Sequence, residues 1–203
     1  MTSTGAKVAF IACGAVAQDT AFLVKKHGWD ADVHGISSVL HMTPLDIGPA
    51  VEEKLKALTP RYERVIVVYG DCGTGGRLDQ VLARYPAVRP AGVHCFQWYA
   101  GDLFARFNDD IGIYFLTDWL VTNWDRAVIA GLGLDRFPWL KETYFDNITR
   151  ILFVRQHPDD GREAKAREIA QWMERPLEIH DLGIEPLDEL LTPLMEESTD
   201  VRT

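Results

Sequence analysis

Three cysteines, Cys13, Cys72 and Cys95, each follow an apolar run of strand character, in VAFIAC, VIVVYGDC and AGVHC. Thiolates are soft ligands that suit zinc and other borderline metals. In a parallel α/β sheet the carboxyl ends of the strands share one edge, and that edge is where such folds build ligand sites. The spacing therefore predicts a shared site with Cys13, Cys72 and Cys95 as metal ligands and zinc as the expected ion. The prediction is also one of topology. The first, third and fourth strands must be neighbours, as in the order 2-1-3-4-5, because adjacent strands lie about 4.8 Å apart. The competing reading is that free cysteine is a small, commonly buried hydrophobe.

Other residues could complete such a site. His94 adjoins Cys95 and is a candidate ligand or acid–base group, as is His41 in SSVLHMTP; His94, His41 or water could fill a fourth ligand position. Gly70-Asp71-Cys72-Gly73-Thr74-Gly75-Gly76 joins a buried strand to a helix. Its backbone N–H groups, with Gly70, Gly73, Thr74 and Gly75 named as cofactor contacts, could receive an anion. It is neither the phosphate loop ending in Gly-Lys-Ser/Thr nor the dinucleotide fingerprint. Asp71 is read as a base, a supporting acceptor or a helix cap. Asp118, after the fifth strand, is read as a substrate contact or cap. Asp71, His94 and Asp118 together form the candidate catalytic set. Trp98, Tyr99, Tyr114, Trp119 and Trp124 could line a flat ligand, but core packing explains them more simply.

The elements that must position these residues alternate. Strands are expected at Lys7–Ala12, Ala31–Ile36, Arg64–Tyr69, Ala91–His94, Gly112–Leu116, Arg150–Val154 and Leu177–His180, from continuous apolar runs. Helices are expected at Ala17–His27, Pro44–Leu58, Arg77–Tyr85, Phe96–Phe107, 118–130, 138–145, Arg162–Glu174 and Pro186–Leu194. Strand–helix alternation implies βαβ units. The fold class is α/β: a single doubly wound domain over residues 1–195, with a mainly parallel sheet, helices on both faces, and a polar tail from 196 to 203. The first five strands are expected to lie in one sheet.

Composition narrows the classes. The 203 residues carry a net charge of −9, without the basic footprint of a nucleic-acid binder. Three cysteines are few and odd in number, so a disulfide scaffold is not expected and a reducing cytoplasm is. The apolar run before Cys13 is shorter than the roughly 7–15 residues of a signal core. No stretch reaches the ~20 residues of a membrane helix. A small-molecule ligand is the expected partner, and a homo-oligomer is left open.

A set of short strings resembles the domain of unknown function 1638 family. They are Ala12-Cys13-Gly14-Ala15, Tyr69-Gly70-Asp71-Cys72-Gly73, His94-Cys95-Phe96, Phe115-Leu116-Thr117-Asp118 and Leu132-Gly133-Leu134-Asp135-Arg136. Gln97 departs from the acidic residue expected after the His-Cys-aromatic element. The resemblance implies a companion of corrinoid-dependent methyltransferase systems, with a corrinoid protein or methyltransferase as partner and a corrin-like or pterin-like ligand as an alternative to zinc. Two functions follow: an enzyme or accessory of one-carbon metabolism with a zinc–thiolate site, or a non-catalytic protein that carries a metal or small ligand to a partner. A dithiol redox protein is disfavoured because no Cys-x-x-Cys is present.

Overall fold

The computed structural model describes residues 8–107 and 110–196. Every strand pairing in it is parallel. The strands form two sheets, and the chain divides into two compact units. The first unit comprises residues up to Cys95 together with the segment from Asp188; the second is Phe96–Leu187.

The first unit holds a four-stranded sheet of order β2-β1-β3-β4, from β1 (Val8–Cys13), β2 (Ala31–Ile36), β3 (Arg64–Val68) and β4 (Ala87–Val88). All six residues of β1 are buried, which is what an uninterrupted apolar run between two neighbours requires. α1 (Ala17–His27) buries Thr20 and Leu23 and ends at Gly28, whose φ of +64° suits a left-handed helix stop. Two short 3₁₀ turns, Ser38–Met42 and Pro44–Asp46, precede α2 (Ile47–Leu58). The buried face of α2 is Ile47, Val51, Leu55 and Leu58, at helical spacing. α3 (Arg77–Leu82) follows the glycine-rich turn and buries Leu78, Val81 and Leu82.

The second unit begins with α4 (Cys95–Ala100), whose first residue belongs to the first unit, and α5 (Asp102–Phe107). The sequence reads these as one helix; Gly101, at φ +50°, divides them. Its sheet has the order β5-β6-β7, from β5 (Ile113–Thr117), β6 (Arg150–Arg155) and β7 (Leu177–Asp181). α6 (Asp118–Thr122) leads into a π-helical turn at Asp125–Ala130, where the longer expected helix loses its regular ladder. α7 (Leu140–Phe145), α8 (Asp160–Met173) and α9 (Glu185–Glu196) complete the chain, α9 running from the second unit into the first. Leu116, Trp124, Phe145, Ile151, Phe153, Ile169 and Met173 form the second unit's core. Trp98 and Tyr99 are also buried, so these aromatics pack rather than line an open wall.

Other expectations change as well. The first five strands divide between two sheets, since β4 is only two residues long and β5 pairs with β6. The fourth strand is Ala87–Val88, and residues 91–94 are not a strand. Pro90 lacks an N–H, Gly92 has φ +137°, and the Arg89 guanidinium binds the Pro90 and Gly92 carbonyls at 3.2 and 3.1 Å. Those groups cannot then join a ladder. The expected helix at Arg77–Tyr85 also stops early, at Leu82. Of the polar tail, residues 197–203 lie outside the described residues.

Candidate functional site

The sheet order places β1 between β2 and β3, so the carboxyl ends of β1 and β3 are adjacent. Ala12 pairs with Val68, which sets Cys13 level with Tyr69. Both are buried, Cys13 at 2% exposure and Tyr69 at 0%. The Tyr69 hydroxyl interacts with the Cys13 thiol but has no hydrogen-bond partner of ordinary geometry among the described residues. Burial holds the phenol far above its usual titration range, and the Cys13, Cys72 and Cys95 thiols all add to the shift. Thus the three cysteines, 59 and 23 residues apart along the chain (72 − 13 and 95 − 72), lie within electrostatic reach of one buried hydroxyl.

Each thiol is held by local backbone. The Cys13 sulfur accepts the Ala15 N–H at 3.4 Å. Cys72 adopts φ +46°, a left-handed conformation that non-glycine residues rarely take. Its sulfur accepts from the backbone N–H groups of Gly70 and Cys95, and its own N–H donates to the Val93 carbonyl at 2.9 Å. The last bond brings the segment before Cys95 against the Cys72 turn. Gly70 permits that approach: a Cβ there would stand 2.6 Å from the Val93 oxygen and 3.1 Å from the His94 Cα.

Burial dominates the thiol electrostatics. It raises Cys13, and it pushes Cys72 up to about 12, against the N–H donors that favour thiolate. Such thiols are protonated at neutral pH and are poor nucleophiles on their own. His94 is held below its usual range, first by burial and then by His41, with Asp71 opposing. His41 donates its Nδ1 proton to the Ser38 carbonyl at 2.8 Å and stacks on Tyr69, with centroids 5.7 Å apart and planes 18° apart.

The glycine-rich turn is closed by its own anion. Asp71 accepts from the Thr74 hydroxyl at 2.5 Å, the Gly75 N–H at 3.1 Å and the Gly76 N–H at 2.8 Å. The Thr74 hydroxyl is foremost among the contacts that hold the Asp71 carboxyl below the usual carboxylate range. The Gly75 and Gly76 amides that the sequence offers to a bound anion are turned to this side chain. Gly73, at φ +84°, packs its backbone against Pro44.

Asp118 lies in the second unit. Its carboxylate accepts the Gln156 N–H at 3.2 Å and the His157 N–H at 2.8 Å, while its own N–H donates to Gln156 Oε1 at 2.8 Å. Cys13, Cys72, Cys95, His94, His41 and Asp71 all belong to the first unit, where the thiols act electrostatically on Tyr69, and Asp71 and His41 on His94. Among the described residues no group of three or more His, Cys, Asp and Glu side chains is already arranged to hold a metal ion. No described helix is long and apolar enough to cross a membrane.

Two site features escape sequence reading. Tyr69 ends a run that is otherwise apolar, RVIVVY, and a lone polar tip there is a weak cue. Arg89 braces the segment before Cys95 by a bidentate pair to Asp79 at 2.6 and 2.9 Å and by its two carbonyl contacts. Nothing in its spacing announces that role.

Residues 36–191 match the family described as protein of unknown function DUF1638. The chain belongs to that family. The match contains Cys72, Cys95 and Asp118, while Cys13 lies before it. Curated proteins yield no match. DUF1638 membership therefore carries no reaction with it, and the chemistry must be argued from the thiol cluster.

Proposed function

We propose that Cys13, Cys72 and Cys95 form a soft-metal thiolate site, with zinc the ion that best suits the donors. The observation that carries this reading is that all three thiols, from separate chain segments, lie within electrostatic reach of the buried Tyr69 hydroxyl. Backbone N–H groups directed at the Cys13 and Cys72 sulfurs are the kind of support that thiolates need. A left-handed Cys72 adds conformational strain at the same point, as functional turns commonly do. The described side chains are not yet arranged as a cation site, so binding requires the thiols to rotate and lose protons.

On this reading the protein serves one-carbon metabolism as an enzyme or accessory of a corrinoid-dependent demethylation system. That step draws on the family resemblance and on the chemistry of the donors. Zinc supplies Lewis acidity and holds thiolate at neutral pH. The chain's own residues would fix the sulfurs, exclude water around Tyr69 and keep His41 and His94 at hand. The second reading, a non-catalytic carrier, is favoured by the depth of burial of Cys13. A catalytic zinc keeps a coordination position open, whereas a holding site closes it with protein ligands.

The test is elemental analysis of protein purified without added metal, with thiol titration in parallel. One metal per chain is expected, and Cys72→Ser should lower it more than His157→Ala, because serine is a poorer soft-metal ligand. Unchanged metal content in Cys13→Ser, Cys72→Ser and Cys95→Ser would sink the metal reading. The strand ends would then be read as holding an organic ligand, with Asp71 and His94 as its polar contacts.

A further inference from the structure

We infer that the groove between α2 and α3 is a docking surface for α9 of a second copy of this chain. The inference is independent of the metal reading above.

The groove lies within the first unit, is open to solvent and has a volume of about 540 Å³. It forms where α2 and α3 pack closely: a Cβ on Gly48 would lie 3.5 Å from Val81 Cγ2. Leu45, Pro49 and Val81 give it an apolar lining. Leu45 is 55% exposed, and Met42 and Val39, three and six residues before it, are exposed too. Exposed apolar side chains beside arginines are the composition of an interface that another protein covers. Arg77, Gln80 and Arg84 line the groove from the α3 side, at helical spacing. Glu52 also lines it, but that carboxylate already accepts the Tyr85 hydroxyl at 2.9 Å and pairs with Arg84 at 3.1 Å and Lys56 at 3.4 Å. Arg77 has no ion pair among the described residues. The groove is therefore basic on a chain whose net charge is −9.

The complementary surface is on α9. Leu187 and Leu191 are its buried residues, while Glu189, Pro193 and Glu196 are exposed and Leu190 is half-buried beside them. Among the described residues Glu189 and Glu196 make no ion pair. They are seven residues apart, and so are Arg77 and Arg84. Seven helical residues rise about 10 Å. A helix laid along α3 can thus bring both acids to both arginines at once, with Leu190 and Pro193 turned to Leu45 and Pro49.

A second copy is needed because one chain cannot fill its own groove. The β1-α1-β2 connection crosses the sheet one way and β2-α2-β3 returns the other way. Right-handed crossovers then put α1 and α2 on opposite faces. α9 is tied to the α1 side, where Asp188 meets Lys26 at 2.8 Å and His27 at 2.7 Å. Groove and helix are therefore different surfaces of the first unit, and their contact is heterologous, joining copies head to tail.

Sedimentation velocity of the full chain at rising concentration tests the inference. The wild-type mass should rise with concentration, and added salt should oppose the rise, because the paired charges are exposed. Arg77→Glu with Arg84→Glu, and separately Glu189→Arg with Glu196→Arg, should each weaken association about tenfold or more. An equimolar mixture of the two variants should regain it, since each groove then faces an α9 of opposite charge. These side chains are on the surface, and the restored mixture also shows that both variants are folded. A wild-type chain that stays monomeric at every concentration overturns the inference. So does association that either variant leaves unchanged, which would put another surface in contact. Failure of the mixture to associate, with both variants giving the wild-type circular dichroism, overturns the pairing of α9 with this groove.

Discussion

Gly70 decides whether the site can assemble, because it lets the Cys72 turn and the segment before Cys95 touch. A Cβ at that position would meet the Val93 carbonyl oxygen at 2.6 Å and its carbon at 2.9 Å. Both obstacles are backbone atoms, which cannot swing aside as a side-chain tip can. Gly70→Ala should therefore cost about 1–3 kcal/mol of stability, as overpacking does, and should pull Cys95 away from Cys72. Denaturant unfolding would give the first quantity, and the reaction rate of the thiols with a disulfide reagent the second, with faster labelling expected. Gly35→Ala is the control, since a Cβ there meets nothing within 4 Å. Equal behaviour of the two variants would refute the claim. The three cysteines and both histidines were legible from residue type and position. Tyr69 was not, because a tyrosine that ends an apolar strand resembles any buried aromatic until its hydroxyl is found within electrostatic reach of three thiols.

At the scale of elements, the least legible piece was the one that matters most to the site. Residues 91–94 are apolar enough to suggest a strand, yet what holds them is an arginine outside the run. Arg89 grips Asp79 of α3 with two nitrogens and the Pro90 and Gly92 carbonyls with a third. Periodicity cannot reveal a brace between a guanidinium and loop carbonyls. The same brace gives a pH dependence. The Arg89 hydrogen bonds hold the Asp79 carboxyl below its ordinary value of 3.8. A depressed acid stabilises the fold above that value and loses its contribution as pH falls through the lower, folded-state one. Asp79→Asn should thus be less stable than wild type at neutral pH, and the gap should close as the pH drops below 3.8. Urea midpoints measured across that range test it, and a gap that widens in acid would contradict the brace. The helical period holds in α1 and α2, while the expected helices at Phe96–Phe107 and 118–130 are interrupted. α1 and β2 have the expected limits, and α2 keeps its expected buried face although the first turn of the expected helix, Pro44–Asp46, is 3₁₀ and lies before it.

For the whole molecule, alternation of apolar runs and helical periods was enough to fix the α/β class and parallel pairing, because each βαβ return leaves little topological choice. It was not enough to say where one sheet stops. That depended on β4, whose two residues give β3 only a short neighbour. Asp118 shows the consequence for function. At the end of a fifth strand in one continuous sheet it would stand on the cysteine edge; instead its known partners are all in the second unit. There it joins the end of β5 to the end of β6 by accepting two backbone N–H groups, with Arg162 at 3.7 Å. It is 7% exposed, and burial raises its pKa despite those donors. Such a carboxylate is a brace before it is a reagent. Removing it strands buried amides, which costs about 1–3 kcal/mol. Asp118→Ala should lower the urea midpoint by an amount in that range, and Asp118→Asn, which keeps one acceptor oxygen, should lose less. Metal content of the folded Asp118→Asn variant should match wild type, since the described partners of the carboxylate are Gln156, His157 and Arg162 and not the proposed ligands. A variant that folds as stably as wild type yet loses the metal would return Asp118 to the chemistry of the site.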